Sequence, residues 1–159
     1  MSRISLGSRP DGNVDPGPII RSILLEQVQC VLATQNDQRL FQHLMAYGLE
    51  ESLATIYLVS FRNTRKVSNM LAYPSVSLLW DNRTGNNRDH TEGFALTAQG
   101  QARLVLDKDA QSDIRQQLLN RNASLANLLK EQGAVLIAVD IDSYHLALGY
   151  TQSFFYQPG

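Results

Sequence analysis

The sequence predicts a mainly β (α+β) domain, an antiparallel barrel carrying peripheral helices. Three observations lead there. About six runs of the chain have strand chemistry, and most of them follow one another directly. Only one pair is separated by a long helical segment, whereas a doubly wound parallel sheet needs a crossover at every step. Finally, Gly100 stands in the middle of an alternating run. Glycine there marks a bulge or a close backbone approach, as barrel corners require.

Residues 1–18 hold three prolines and three glycines among polar residues, which reads as a flexible arm ahead of a single domain over 19–159. Ile20, Ile23, Leu24 and Val28 recur at helical spacing, so 19–29 is expected to be a short amphipathic helix. Val28 to Thr34 reads as a strand, Gln35-Asn36-Asp37 as a turn, and Leu40 to Tyr47 as the second strand. Gly48 to Ala54 is a connection. Thr55 to Phe61 is a third strand, β-branched and aromatic, with apolar residues on both faces. A helix over 64–73 carries Val67, Met70 and Leu71 as its apolar stripe and stops at Pro74. Val76, Leu78 and Trp80 alternate through a fourth strand. Asp81 to Glu92 is a polar loop long enough to suggest a role. Residues 95–106 alternate cleanly, with Leu96, Ala98, Gly100, Ala102, Leu104 and Leu106 on one face. Lys108 to Gln132 is expected to be helical in two pieces, broken near Asn120 to Ala123. Ala134 to Asp142 is a strand that Tyr144 to Gly149 continues or follows, and the tail is rich in aromatics.

The 159 residues suit one domain, large enough for a core without staples. A net charge of −1 gives no electrostatic reason to expect nucleic-acid or membrane-surface binding. Cys30 is the single cysteine, which excludes an intramolecular disulfide and a cysteine-pair zinc site. It sits in an apolar run and reads as a small core residue. Met1 to Pro18 has no apolar signal region, and no stretch approaches the roughly 18 apolar residues of a membrane span. A cytoplasmic setting is the expectation.

The sharpest local feature is Asn63-Thr64-Arg65-Lys66, joining a buried strand to a helix. Thr64 is placed as an N-cap, its hydroxyl able to accept a first-turn N–H. Arg65 and Lys66 then fall where the helix dipole is already positive, an arrangement that a bound phosphate relieves. The bland alternative, both side chains simply in solvent, costs only a few tenths of a kcal/mol.

The run from Cys30 to Val105 resembles the pyridoxamine 5′-phosphate oxidase-like family of flavin-binding split barrels. The matching pieces occur in that family's order. They include Cys30-Val31-Leu32-Ala33-Thr34, Gln42-His43-Leu44-Met45-Ala46 and Ile56-Tyr57-Leu58-Val59-Ser60. The most specific is Thr64-Arg65-Lys66 followed by Asn69, Pro74, Val76 and Ser77. The resemblance implies a six-stranded split β-barrel and a homodimer with flavin mononucleotide (FMN) in the interface groove. It also implies an oxidoreductase of undefined substrate. Thr64, Arg65 and Lys66 would hold the flavin phosphate, Ser60 would add a polar contact, and backbone groups of His43, Leu44 and Met45 would face the isoalloxazine edge. Asn82, after the fourth strand, would reach a flavin from the partner subunit, with a plain turn as the alternative. The tail Phe154 to Gly159 lacks the Arg-x-His pair of the vitamin B6 oxidases, and Gln42 replaces a usual basic residue. Both departures speak against vitamin B6 oxidation. The other reading of the same barrel is a non-catalytic module for flavin, deazaflavin or haem.

No catalytic constellation is legible. His43, His90 and His145 lie on separate elements, so no metal site is expected. His43, within an apolar strand, also reads as a satisfied core histidine. Trp80 and Phe154-Phe155-Tyr156 read as core or dimer packing rather than as flavin stackers.

Overall fold

The computed structural model describes residues 7–8, 14–149 and 151–159. A two-stranded hairpin pairs β1 (Gly7–Ser8) with β2 (Val14–Asp15), and α1 (Gly17–Glu26) follows. Then come β3 (Gln29–Asn36), β4 (Arg39–Ala46), the short β5 (Gly48–Leu49) and β6 (Thr55–Phe61). Next are α2 (Arg65–Ala72), β7 (Ser75–Asp81), a single turn α3 (Asp89–Glu92) and β8 (Phe94–Leu104). The chain ends with α4 (Lys108–Arg121), a 3-10 turn (Ala123–Leu125), α5 (Ala126–Lys130), β9 (Ala134–Leu148) and β10 (Gln152–Tyr156). One antiparallel sheet runs β4-β3-β7-β8-β9-β6-β5, with β10 added on β9. It curls until β4 and β6 approach without a ladder between them. This is the split in the barrel. No helix among the described residues is long and apolar enough to cross a membrane.

The six long strands are those expected, and the alternation of β8 and the apolar β6 are reproduced. β6 is apolar on both faces because it is covered on both. Ile56 and Leu58 point into the barrel with Leu32, Leu78, Leu96 and Leu146, while Val59 faces Ile114 and Leu118 of α4. Each such side chain contributes about 1.5–3 kcal/mol by leaving water. Ile19, Ile20, Ile23 and Leu24 of α1 are buried in the barrel core. Trp80 and Tyr144 are core residues, and Phe154 and Tyr156 pack against that core. Cys30 is buried too, and desolvation pushes its thiol up to about 12.

Several boundaries move for physical reasons. Helix α1 begins at Gly17, ahead of Ile19, because a proline such as Pro18 is tolerated in the first helical turn, where no intrahelical N–H bond is lost. Within the expected arm, residues 7–8 and 14–15 form the hairpin, and 1–6 and 9–13 lie outside the described residues. The first tight turn is Asp37-Gln38, both left-handed with φ of 45° and 67°, as a two-residue hairpin demands, so β3 extends to Asn36. β9 runs unbroken to Leu148 because a bulge absorbs its irregularity. Gln99 lies opposite Ser143 but Gly100 opposite Ile141, leaving Asp142 as the extra residue. A Cβ on Gly100 would sit 2.4 Å from the Asp140 carbonyl oxygen, so only glycine fits.

One residue fastens the helical layer to the barrel. α1 has no basic side chain in its last turn. Arg121, at the end of α4, supplies that charge: its Nη2 donates to Leu24 O and Gln27 O at 3.0 Å, and its Nε donates to Tyr47 O at 3.0 Å. The guanidinium stacks 4.8 Å from the Tyr47 ring centroid. One turn earlier, Gln117 meets β5 as a strand would, accepting from Leu49 N and donating to Leu49 O, both at 2.8 Å. Arg121→Met keeps the aliphatic stem but leaves these carbonyls short of donors. It should cost about 2–3 kcal/mol in urea-monitored unfolding, whereas Arg115→Met, which loses one carbonyl contact, should cost less than half of that.

Candidate functional site

The link from β6 to α2 builds the site. Arg62 N donates to Gly133 O at 2.8 Å, which anchors the end of β6. Thr64 then takes the N-cap position with extended backbone, φ −96° and ψ 155°. Its hydroxyl does not cap. It donates to Phe61 O at 2.9 Å and lies 3.3 Å from Ser60 Oγ, because the bend out of β6 brings those oxygens closer than the amides ahead. This corrects the capping role expected of Thr64. The first helical bond is Ser68 N to Thr64 O at 3.1 Å, so the amides of Arg65, Lys66 and Val67 have no intrahelical acceptor. No acidic residue stands in the first turn. The positive end of α2 is thus uncompensated by the chain itself.

Helix α2 is held in place by a polar thread through its buried face. Asn69, 1% exposed, donates to Thr34 Oγ1 at 3.0 Å and accepts from Asn36 Nδ2 at 3.2 Å. Thr34, also 1% exposed, continues to His43 Nε2 at 3.2 Å. His43 is held below the ordinary imidazole value, first by burial and then by the charges of Lys66 and Arg65. It is a hydrogen-bonded histidine of the inner face, neutral at pH 7.

A groove of about 320 Å³ opens at the split between β4 and β6. Leu44, Met45 and Ala46 form one wall and Val59, Ser60 and Phe61 the other. Thr64 and Lys66 stand at the helix start, while Asn122, Ser124, Leu125 and Leu128 line it from the α4–α5 junction. β4 is the last strand of the sheet, so one edge of its backbone has no strand partner. Lys66 makes no ion pair among the described residues. The arrangement offers a cation and free amides between two mostly apolar strand walls, with polar side chains from the α4–α5 junction on the remaining side.

Of the residues expected at a cofactor site, the groove gathers Leu44, Met45, Ser60, Thr64 and Lys66. Arg65 turns the other way, its guanidinium 4.9 Å over the Phe41 ring in an adjoining cleft. The His43 side chain is committed to Thr34 rather than to the groove. Asn82 is committed as well: its Oδ1 accepts from Phe94 N at 2.8 Å, closing the 82–93 loop at its base. His90 stands on α3, and His145 lies 2.5 Å from Ser153 Oγ on the outer face. The described residues contain no cluster of metal-ligating groups. Sequence reasoning quoted Asn69 and Thr34 within the matching runs but gave neither a role. It also missed the α4–α5 junction, where Asn122 Oδ1 accepts from Ser124 N at 3.1 Å.

No family model matches the sequence, and no curated protein matches it. Solved structures match in fold. A haem-binding protein from Mycobacterium smegmatis superposes with a TM-score of 0.80 at 15% identity, over 96% of this chain and 60% of that one. This chain therefore spans less than two thirds of that protein's length. HutZ, the haem storage protein of Vibrio cholerae, gives a TM-score of 0.70 at 17% identity, over 82% and 92% of the two chains. A protein of Listeria innocua, named as a candidate pyridoxamine 5′-phosphate oxidase, gives 0.65 at 18% identity, over 83% and 98%. With β4 and β6 parted around the groove and six long strands in the sheet, the architecture of this chain is that of the pyridoxamine 5′-phosphate oxidase-like split barrels.

Proposed function

We propose that the β4–β6 groove binds FMN and that the protein is an FMN-dependent oxidoreductase. One observation carries the reading: an uncompensated helix start with an unpaired lysine opens directly onto a slot with apolar walls. That fits a ligand with an anionic end and a flat, largely apolar body. Lys66 and the first-turn amides hold the phosphate. Ser60 and Thr64 fix the approach of the ligand, and the free edge of β4 at His43, Leu44 and Met45 offers backbone groups to the ring. Bound FMN supplies the electron exchange, and the chain's part is to bind, orient and desolvate it.

The ligand sits at an interface in this reading. The outer face of the sheet carries a row across neighbouring strands, Leu44-Val31-Leu79-Thr97-His145-Phe155. Leu44 is 71% and Phe155 62% exposed at its two ends. A second copy covering this face would also close the open side of the groove. The second reading, a haem site, draws on the haem-binding and haem-storage proteins that share the fold.

Three expected outcomes check these statements. FMN added to the purified chain gives a tight complex, and Lys66→Ala weakens FMN roughly 10- to 100-fold while leaving riboflavin unchanged, as loss of one charge-assisted contact requires. Equal loss for both ligands refutes the phosphate assignment, and a Soret band with hemin but no FMN binding selects the haem reading. By NMR, His43 titrates below the ordinary imidazole value in the free protein, because burial and the two cations disfavour its protonated form. A neighbouring phosphate dianion favours that form, so saturating FMN moves the midpoint up. In sedimentation velocity the native chain runs as a dimer and Leu44→Lys shifts it toward monomer. A native monomer would remove the shared groove.

A further inference from the structure

We infer a second ligand site, separate from the β4–β6 groove: the furrow between α4 and α5 takes a small aliphatic carboxylate, its head on Arg115 and Lys130 and its tail along Leu119, Ala126 and Leu129. The furrow has a volume of about 240 Å³, and none of its lining residues lines the β4–β6 groove.

Helical spacing creates it. On α4, Ser112, Arg115, Gln116 and Leu119 fall at i, i+3, i+4 and i+7, so they share one stripe. Ile114 and Leu118 lie on another stripe and are buried with Val59 of β6. The division repeats in the next segment. Ala126, Leu129 and Lys130 of α5 face the furrow, while Leu125 and Leu128 line the β4–β6 groove. Helix α5 is thus a wall between two different clefts. The two helices are fastened together here, because Arg115 Nη1 donates to Leu129 O. That bond holds the guanidinium at the furrow and occupies one of its five N–H groups.

Charge decides the head group. The furrow is lined by two cations and no carboxylate. Among the described residues, neither Arg115 nor Lys130 has a carboxylate within 4.0 Å. The chain has 15 acidic residues against 14 basic ones, yet it places none of the acids on this lining. A guanidinium fork meets the two oxygens of a carboxylate in parallel bonds, and Lys130 adds a point charge.

The floor decides the rest of the ligand. Leu119, Ala126 and Leu129 are half-buried apolar residues on the same lining as both cations. A bare anion would leave that floor wet, and an alcohol of equal length would leave both cations without a counter-charge. At roughly 30 Å³ for each water-sized group, the furrow holds about eight heavy atoms. A carboxylate of about six carbons has that size.

The test uses the full chain without added flavin, so it stands whether or not the β4–β6 groove binds FMN. Hexanoate is titrated by NMR and by calorimetry, with acetate and hexanol as comparison probes. Hexanoate should bind more tightly than either, with amide shifts on Leu119, Ala126 and Leu129. Lys130→Gln should weaken it roughly threefold, as loss of one exposed charged contact requires. Ala126→Leu fills the floor with a good helix former and should abolish binding. Circular dichroism melts check that both variants keep the fold, and Lys130→Gln, at an exposed position, carries the test alone if the larger side chain disturbs α5. Lys66→Gln should leave hexanoate binding unchanged. Binding lost with Lys66→Gln and kept with Lys130→Gln would overturn the proposal, by placing the carboxylate in the β4–β6 groove. Acetate binding as tightly as hexanoate, or no saturable binding below about 10 mM, would overturn it as well.

Discussion

Asn69 donates to Thr34 Oγ1 and accepts from Asn36 Nδ2 in a region closed to water, and the placement of α2 depends on that pair of bonds. A buried amide left unpaired costs about 1–3 kcal/mol, so the helix cannot rotate or slide along β3 without losing them. Val67 and Met70, on either side of Asn69, set the depth of α2, but apolar packing tolerates small shifts that hydrogen bonds do not. The depth and rotation of α2 together decide where its first turn stands. They place Lys66 over the split and Arg65 over Phe41, on opposite sides of one helix start.

The same thread has an electrostatic side. Burial first, and then the charges of Lys66 and Arg65, disfavour the protonated form of His43. Nothing acidic in the first turn of α2 offsets this field. The chain carries a nearly balanced total charge of −1, yet it concentrates positive potential at one strand-to-helix junction. On the helical side of the barrel, by contrast, Arg121 and Gln117 bond to backbone carbonyls and an amide rather than to a counter-charge.

The strands were legible where alternation or β-branching was strong. Thr55 to Phe61 kept its predicted limits, and Gly100 marked a real bulge. Where the period slipped, reading failed for a definite reason. Asp142 and Ser143 interrupt the apolar pattern of 134–148, and only the bulge opposite Gly100 explains how the strand passes through them unbroken. The site was partly legible. Thr64, Arg65 and Lys66 follow directly from one another, but a helix turns each residue by about 100°, so adjacent cations diverge. Sequence order could not say which one meets the groove. The role of Thr64 was misread because its hydroxyl had a closer partner in the carbonyl of Phe61.

Cys30 lies on β3, sealed in the barrel, with its thiol pushed up to about 12. A sulfur in that state is a poor nucleophile and is out of reach of a neighbour's sulfur. Copies of this chain therefore cannot be welded by a disulfide bond while folded, and any association between them rests on surface fit alone and stays reversible. Alkylating and oxidising reagents meet no ready target until the sheet opens. The rate at which this one thiol is labelled is accordingly a clock for opening of the barrel, built into the native sequence.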